Sequence, residues 1–463
     1  VEQVPPVRDR KEKASRVWVL RDLPEIDDIV VRHVMLKPSD EFMVSDLHLY
    51  GSVLPEGISA RTRAAWDFVV ESDEAYATVF VDPFGPEGFA RMFDAVMALN
   101  MHAGPGYPIQ RKFHTQKELL EAFIEGDVNV GSYVMAMEEL AATYLVQLQE
   151  MVLAKDPLMF KPYYLVHTKE DGYKVTKLEQ GVFRTIQGAP ILEKLFYFYC
   201  FGPSDEKWSH DDGSCYFVSF NNKDDSWNDR VVGALDGSFG SFATDATYFD
   251  RNMSDDAIRD FFHLYMRRMC LGIPEVLVEH FAHYTSHTPL VTPWGDVYEK
   301  SHGNPSGFPN TLRLNSVVNR VLTLSVQSHL LSVPVEDVED VVYSLYCGDD
   351  VLSIVYEEQG FCLAESIVLD VWREWFGMKL KMEGVDRTPF VFGQLPPPHP
   401  HFVARSSVLI GGTYFGVLAD RSRLLKHVLW CEPEGCTDLL FAERCHGVMQ
   451  EMCVWALLRR QMY

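Results

Sequence analysis

The stretch from Val341 to Tyr356, VVYSLYCGDDVLSIVY, constrains the fold of this chain more than any other. Two runs of β-branched, aromatic and aliphatic residues meet at Gly348, Asp349 and Asp350, and each run reads as a buried strand. Gly348-Asp349 then reads as a two-residue hairpin turn, because glycine takes the positive φ that such turns demand. Two adjacent carboxylates would sit at the tip of an apolar ribbon. Charge in that setting is costly unless water, a cation or a metal compensates it. The acids either face solvent at an ordinary turn or form part of a metal site, and a third carboxylate elsewhere in the chain decides between the two.

With 463 residues, the chain can bury a large core and divide into more than one lobe. No apolar run approaches the length of a membrane span, and the opening VEQVPPVRDRKEK lacks a signal-peptide pattern. Its 9 cysteines follow no regular framework, which suits reduced thiols in a cytoplasm-like compartment. The formal net charge of −24 runs against the basic footprint of most nucleic-acid binders. Net charge, however, governs long-range steering, whereas binding in a channel depends on local charge. Lys161, Lys169, Lys174, Lys177 and Arg184 concentrate positive charge in one segment, while Glu336, Asp337, Glu339 and Asp340 form an acidic approach to the hairpin. Prolonged sliding on duplex is disfavoured; a gripped, enclosed template is not.

Along the chain, AGPGYP at 103–108 is a Gly/Pro turn cluster with a basic rim of Arg111, Lys112, His114 and Lys117. Helical patterns follow from Gln116 to about Gly126 and from Gly131 to Ala154. Residues 169–190 alternate basic and apolar positions, which predicts strands or a finger-like loop carrying Lys174, Lys177 and Arg184. From Phe201 to Ser238 the composition predicts irregular structure around short strands. Next, GSFATDATYFD predicts a short strand ending at Asp245, with Asp250 beyond it and a helix capped by Ser254. The cap explains Asp255 and Asp256 in the first turn but not Asp245 or Asp250. Thr311, Asn315 and Asn319, four apart on a long apolar helix, form a polar stripe that either bonds neighbouring backbone or faces a ligand. The Ser306-Gly307 loop precedes that helix. After the hairpin come a helix near 363–376, a strand-like return bearing Lys379 and Lys381, the linker LPPPHPH, and a small, largely helical lobe with helices near 421–429 and 437–460.

Asp245 together with Asp349 and Asp350 supplies three carboxylates on two elements, the composition of a two-metal phosphoryl-transfer site. All-oxygen donors suit Mg²⁺ or Mn²⁺, and no His or paired Cys motif beside them favours zinc. Spacing alone allows a nuclease or a cyclase as well.

Five segments in order resemble the RNA-dependent RNA polymerases of positive-strand RNA viruses, in particular the picornavirus/astrovirus-like supergroup. AGPGYP resembles the family's Gly-Tyr-Pro template loop, which implies template contacts for Gly106, Tyr107 and Pro108. KVTKLEQGVFR resembles the basic fingertip motif, implying that Lys174, Lys177, Glu179 and Arg184 meet template and triphosphate. DATYFD is similar to the first palm motif, with Asp245 as metal ligand and Asp250 as the ribose-sensing acid. NPSGFPNTLRLNS is similar to the second, assigning Ser306, Gly307, Thr311 and Asn315 to template and sugar selection. CGDD resembles the third, with Asp349 as the bridging metal ligand and Asp350 in a supporting metal or primer-end role. The lysine that protonates leaving pyrophosphate is Lys379 or Lys381. Three departures stand out: Asn310 where picornavirus enzymes usually have Gly, Val182-Phe183 in place of a Lys-Ser type pair, and a loosely matching primer grip at Phe392-Gly393-Gln394.

The resemblance implies an α+β, closed right-hand polymerase with a small helical thumb. Its expected parts are fingers at 1–200, palm at 201–284, a fingers return at 285–304, palm again at 305–400 and thumb at 401–463. It further implies two Mg²⁺ or Mn²⁺ ions, NTPs, template RNA and the nascent duplex, other viral replication proteins and a host-cytoplasmic replication complex, and it favours a protein or oligonucleotide primer while leaving de novo initiation open. A reverse transcriptase shares the hand, but the pair of Asp250 and Asn315 can hydrogen-bond a ribose 2′-OH where that enzyme uses an aromatic gate. An inactive polymerase-fold scaffold is the rival from another class, and intact Asp245, Asp349 and Asp350 weigh against it.

Overall fold

The structure, a computed structural model, describes residues 2–3, 14–15, 33–36, 40–48, 50, 54–124, 128–169, 171–174, 185–211, 213–218, 227–392, 401–410, 413–418 and 430–431. In chain order, the elements used below begin with β1 (Glu2–Gln3), α1 (Ile58–Ser72), α2 (Gly88–Met97), α3 (Val130–Ala154), β2 (Tyr164–Thr168) and β3 (Thr185–Gly188). They continue with α4 (Ile191–Ser209), β4 (Gly240–Thr247), α5 (Glu275–Ser286), β5 (Pro289–Val291), β6 (Asp296–Glu299) and α6 (Thr311–Leu331). The last are β7 (Val342–Cys347), β8 (Asp350–Val355), α7 (Ser366–Phe376), β9 (Lys379–Asp386), β10 (Arg405–Ile410) and β11 (Thr413–Leu418). Helices and mostly antiparallel strands mix as in an α+β chain.

The two apolar runs of the hairpin pair antiparallel from Val342↔Val355 to Cys347↔Asp350, leaving Gly348 and Asp349 as the turn. Gly348 has φ 65 and Asp349 has no positive φ, the pattern of a type II′ turn. β8 pairs in turn with β4, and β4 with β9, giving a four-stranded antiparallel sheet in the order β7-β8-β4-β9.

Strand alternation divides the faces of this sheet. Val342, Tyr346, Val351, Val355 and Phe242 join the main core, which includes Leu314, Val317, Val318 and Val321 of α6. Leu345, Leu352, Ile354 and Ala243 face a second core built on Phe217, Trp227 and Tyr414. The β10–β11 hairpin is fastened to that second core by Trp227 Nε1, which donates to Ser407 Oγ at 2.8 Å.

α6 is the buried axis of the fold. Asn310 starts it, its side chain accepting from the Arg313 N–H at 3.1 Å, so the departure from glycine at this position serves as a helix cap. Arg313 donates to Ser204 Oγ at 3.0 Å and Asp205 Oδ1 at 2.6 Å, while Arg320 reaches Asp73 Oδ1 and Glu339 Oε1, each at 3.1 Å. Stranding either buried guanidinium by removing its acid would cost about 3–5 kcal/mol, so these pairs fix the rotation of the helix.

A second sheet, ordered β1-β6-β5-β2-β3, brings residues 164–168 and 185–188 together with 289–291 and 296–299, with β5 and β2 parallel. Two local expectations change. Helix α4 continues through Pro203 to Ser209 where composition predicted irregular structure, because Phe196, Tyr197, Tyr199, Cys200 and Phe201 are buried and tertiary packing outweighs the helix breaker. Strand β4 runs two residues past Asp245. The described residues of the last lobe include the β10–β11 hairpin and a short strand at Trp430–Cys431 paired with Ala14–Ser15, and the helices expected near 421–429 and 437–460 lie outside the described residues.

Candidate active site

The four-stranded sheet carries a transverse row of chemistry at one end. Asp350 pairs with Cys347 on one side and with Asp245 on the other, and Asp245 pairs with Lys381. Directly opposed residues share a face, so Asp350, Asp245 and Lys381 emerge together, on the side away from α6. Asp245 and Asp350 are half-buried, whereas Asp349 is exposed at the tip of the turn. The register thus sets Asp350 beside Asp245, with Asp349 one residue further out. Lys379 pairs with Thr247, so of the two candidate lysines only Lys381 shares a level with an aspartate. Lys381 is ion-paired with Glu383, whose hydrogen bond is the main cause raising the lysine pKa, with a smaller push from Asp245. The Cys347 thiol is pushed up to about 12 by burial and then by Asp350 and Asp349, which keeps it protonated.

α6 holds the turn from behind. The Gly348 N–H donates to Ser316 Oγ at 2.9 Å, and Asn319 Nδ2 donates to the Gly348 carbonyl at 3.0 Å. Thr323 Oγ1 in turn donates to Asn319 Oδ1 at 3.3 Å, which fixes the orientation of that amide. One turn earlier, Asn315 Nδ2 donates to Asp250 Oδ1, and Asn304 Nδ2 donates to Asn315 Oδ1 at 3.0 Å. The polar stripe therefore divides. Asn319 positions the acidic turn, Asn315 engages Asp250, and Thr311 donates to the Pro305 and Phe308 carbonyls of its own loop at 3.2 and 3.1 Å.

A family model described as viral RNA-dependent RNA polymerase matches residues 90–440, a span that includes every element of this site. The chain belongs to the viral RNA-dependent RNA polymerases. No curated protein matches it. The polymerase is accordingly an RNA-directed RNA polymerase of viral RNA synthesis, in a family that uses divalent metal ions and binds template RNA and NTPs. No helix among its described residues is long and apolar enough to cross a membrane.

Among the described residues of the polymerase, no three Asp, Glu, His or Cys side chains are gathered closely enough to bind an ion as they stand. The residues nevertheless fit a divalent cation. Two carboxylates held opposite each other on neighbouring strands are unfavourable by themselves, and a hard cation between oxygen donors relieves that repulsion.

The remaining site residues are placed unevenly. Ser306 is exposed, and its Oγ accepts from the Gln187 N–H at 3.2 Å. A Cβ on Gly307 would lie 2.2 Å from the Gln187 carbonyl oxygen, so only glycine allows this loop to lie against β3. In the 103–108 loop, Gly106 and Tyr107 are buried, and the Tyr107 ring packs edge-on against Tyr163 at 5.9 Å. Pro108 is exposed there, as are Arg111, Lys112 and Lys117 of the basic rim that follows. Of the fingertip residues, Lys174 is described only as part of a short strand pairing with residues 33–36; Lys177, Glu179 and Arg184 lie outside the described residues, as do Gly393 and Gln394. Sequence reading missed Ser316, although it lies three residues before Asn319 and therefore on the same helix face, and it missed Asn304 and Gln187, whose backbone N–H groups meet Asp250 and Ser306, both distant in sequence.

Proposed function

We propose that this polymerase adds NTPs to an RNA 3′ end under template direction, releasing pyrophosphate, with two divalent ions held by Asp245, Asp349 and Asp350. The observation that carries this reading is the register of Asp350 opposite Asp245 beside the Asp349 turn. When bound, such ions activate the attacking 3′-hydroxyl and stabilise the charge on the triphosphate. The chain's own residues do the rest. Ser316 and Asn319 hold the turn rigid, which is the preorganisation that nucleotidyl transfer requires. Lys381, kept protonated by Glu383, is the general acid for the leaving pyrophosphate.

Asp250 and Asn315 read the ribose: the carboxylate accepts from the 2′-hydroxyl, and the second N–H of Asn315 donates to it. This acceptor-donor pair favours NTPs over the dNTPs of a reverse transcriptase. Ser306, Gly307 and Thr311 shape the loop beside the sugar, and Gly106, Tyr107 and Pro108 with Lys174, Lys177 and Arg184 serve template and triphosphate. In the same reading the four-stranded sheet is the palm of a closed right hand. The enzyme is of the picornavirus/astrovirus-like kind, replicates a genome in a host-cytoplasmic complex with other viral proteins, and starts from a protein or oligonucleotide primer. A template-dependent extension assay offering NTPs or dNTPs, with and without primer, tests the reading. Equal use of dNTPs, or no Mg²⁺-dependent extension at all, overturns it.

A further inference from the structure

The chain of hydrogen bonds behind the ribose pair does not stop at Asn315. Asn304 is fully buried, and it touches both sugar-reading residues by different means. Its backbone N–H donates to the Asp250 carbonyl at 2.7 Å, and its side-chain Nδ2 donates to Asn315 Oδ1 at 3.0 Å. The preceding residue is tied in the same way, since the Gly303 N–H donates to the Met253 carbonyl at 2.7 Å. Behind the turn, buried Lys300 donates through Nζ to the carbonyls of Gly303 and of Thr285, the latter at 2.6 Å. The 303–304 segment is thus stitched to the Asp250 loop by backbone and anchored from below by the Lys300 amine.

An asparagine amide presents a donor at one end and an acceptor at the other, and nothing intrinsic to Asn315 decides which end faces Asp250. With Nδ2 toward the carboxylate the pair attracts. With Oδ1 toward it, two acceptors oppose each other and the donor needed for a ribose hydroxyl is turned away. Asn304 removes the ambiguity because it offers an N–H to Asn315 Oδ1, and Asp250 accepts from the other end. The Asn304 Oδ1 has no hydrogen-bond partner of its own. A buried unsatisfied carbonyl is costly, and keeping it is worthwhile only if the donor end has work to do.

We infer that Asn304 is a positioning residue for sugar selection, holding the Asn315 amide in the one orientation that lets Asn315 and Asp250 together recognise a ribonucleoside triphosphate. The inference rests on the ribose reading proposed above. It is tested in the full chain by measuring kcat/KM for one NTP and its dNTP in wild type, Asn304→Ala, Asn315→Ala and the double variant. Asn304→Ala lowers the NTP over dNTP ratio by about tenfold, the scale of one charge-linked hydrogen bond, through a loss confined to the NTP. The double variant matches Asn315→Ala alone, because Asn304 acts only through that amide. A ratio unchanged by Asn304→Ala, or effects that add in the double variant, overturns the inference while leaving the ribose reading intact. A ratio unchanged by Asn315→Ala overturns the ribose reading itself. The ratio is internal to each preparation, so partial folding loss cancels, and Asn304→Ser, too short to reach Asn315, repeats the test in a polar background.

Discussion

Asp350 stands directly across from Asp245 on the neighbouring antiparallel strand, so that two carboxylates share one face at one level of the sheet. Like charges in that position repel by some tenths of a kcal/mol. Asp350→Asn is therefore expected to raise the melting temperature slightly in EDTA while abolishing primer extension. Wild type should gain stability on adding Mg²⁺, and the variant should gain less. Thermal melts with and without Mg²⁺ check both; a variant that extends RNA normally defeats the metal-site assignment.

The clamp on the turn makes a separate prediction. Asn319→Leu leaves the Gly348 carbonyl without its donor and should cost about 1–2 kcal/mol of stability. Extension, measured well below the melting temperature, should fall by more than the lost folded fraction explains. A fall in proportion to stability alone would make Asn319 a packing residue.

Two glycines should respond differently to alanine. At Gly348 the nearest atom to an added Cβ is 3.7 Å away, so Gly348→Ala meets only the strain of φ +65, about 1–2 kcal/mol. At Gly307 the added Cβ would be 2.2 Å from a carbonyl oxygen, and Gly307→Ala should destabilise by more than about 3 kcal/mol or displace the loop from β3. Urea unfolding of the two variants ranks them, and the reverse order contradicts the close approach.

Lys381→Leu should slow single-nucleotide incorporation by about a hundredfold, the usual scale of general-acid help. Lys379→Leu, paired with Thr247, should do much less. Rapid-quench kinetics distinguishes them, and equal effects would remove the basis for choosing Lys381.

Burial lowers the pKa of His302 below its ordinary 6.5, and Lys300 adds to the effect. The folded chain resists a proton that the unfolded chain accepts, so this contribution to stability is full above pH 6.5 and is lost as pH falls through the lower, folded value. Melting should drop by a few degrees between neutral and mildly acidic buffer, and His302→Gln should reduce the drop. A variant with the wild-type slope would place the acid sensitivity elsewhere.

The hairpin, the cap at Ser254 and the long helix from Thr311 were legible because local chemistry specifies them: turn glycine, side-chain cap, apolar period. The fate of the polar stripe was not. Thr311, Asn315 and Asn319 are alike in spacing, yet their partners are an adjoining loop, an acid sixty-five residues away and a turn twenty-nine residues ahead. Only the tertiary register separates them. The choice of Lys381 over Lys379 was hidden for the same reason, since it depends on how β9 aligns with β4. The path of α4 through Pro203 was obscured by a local breaker that buried aromatics overrule.

Asn315 and Asn319 project from one helix, four residues and about 6 Å apart along its axis, one joined to Asp250 and the other to the Gly348-Asp349 turn. A rod locked by two buried arginine pairs cannot let one contact drift without moving the other. On the ribose reading proposed above, the helix would work as a gauge block: a sugar that seats badly against Asp250 would shift the bar, and the misfit would reach the aspartates as a misalignment of the reacting ends. Fidelity toward the sugar would then be a mechanical tolerance machined into a single part.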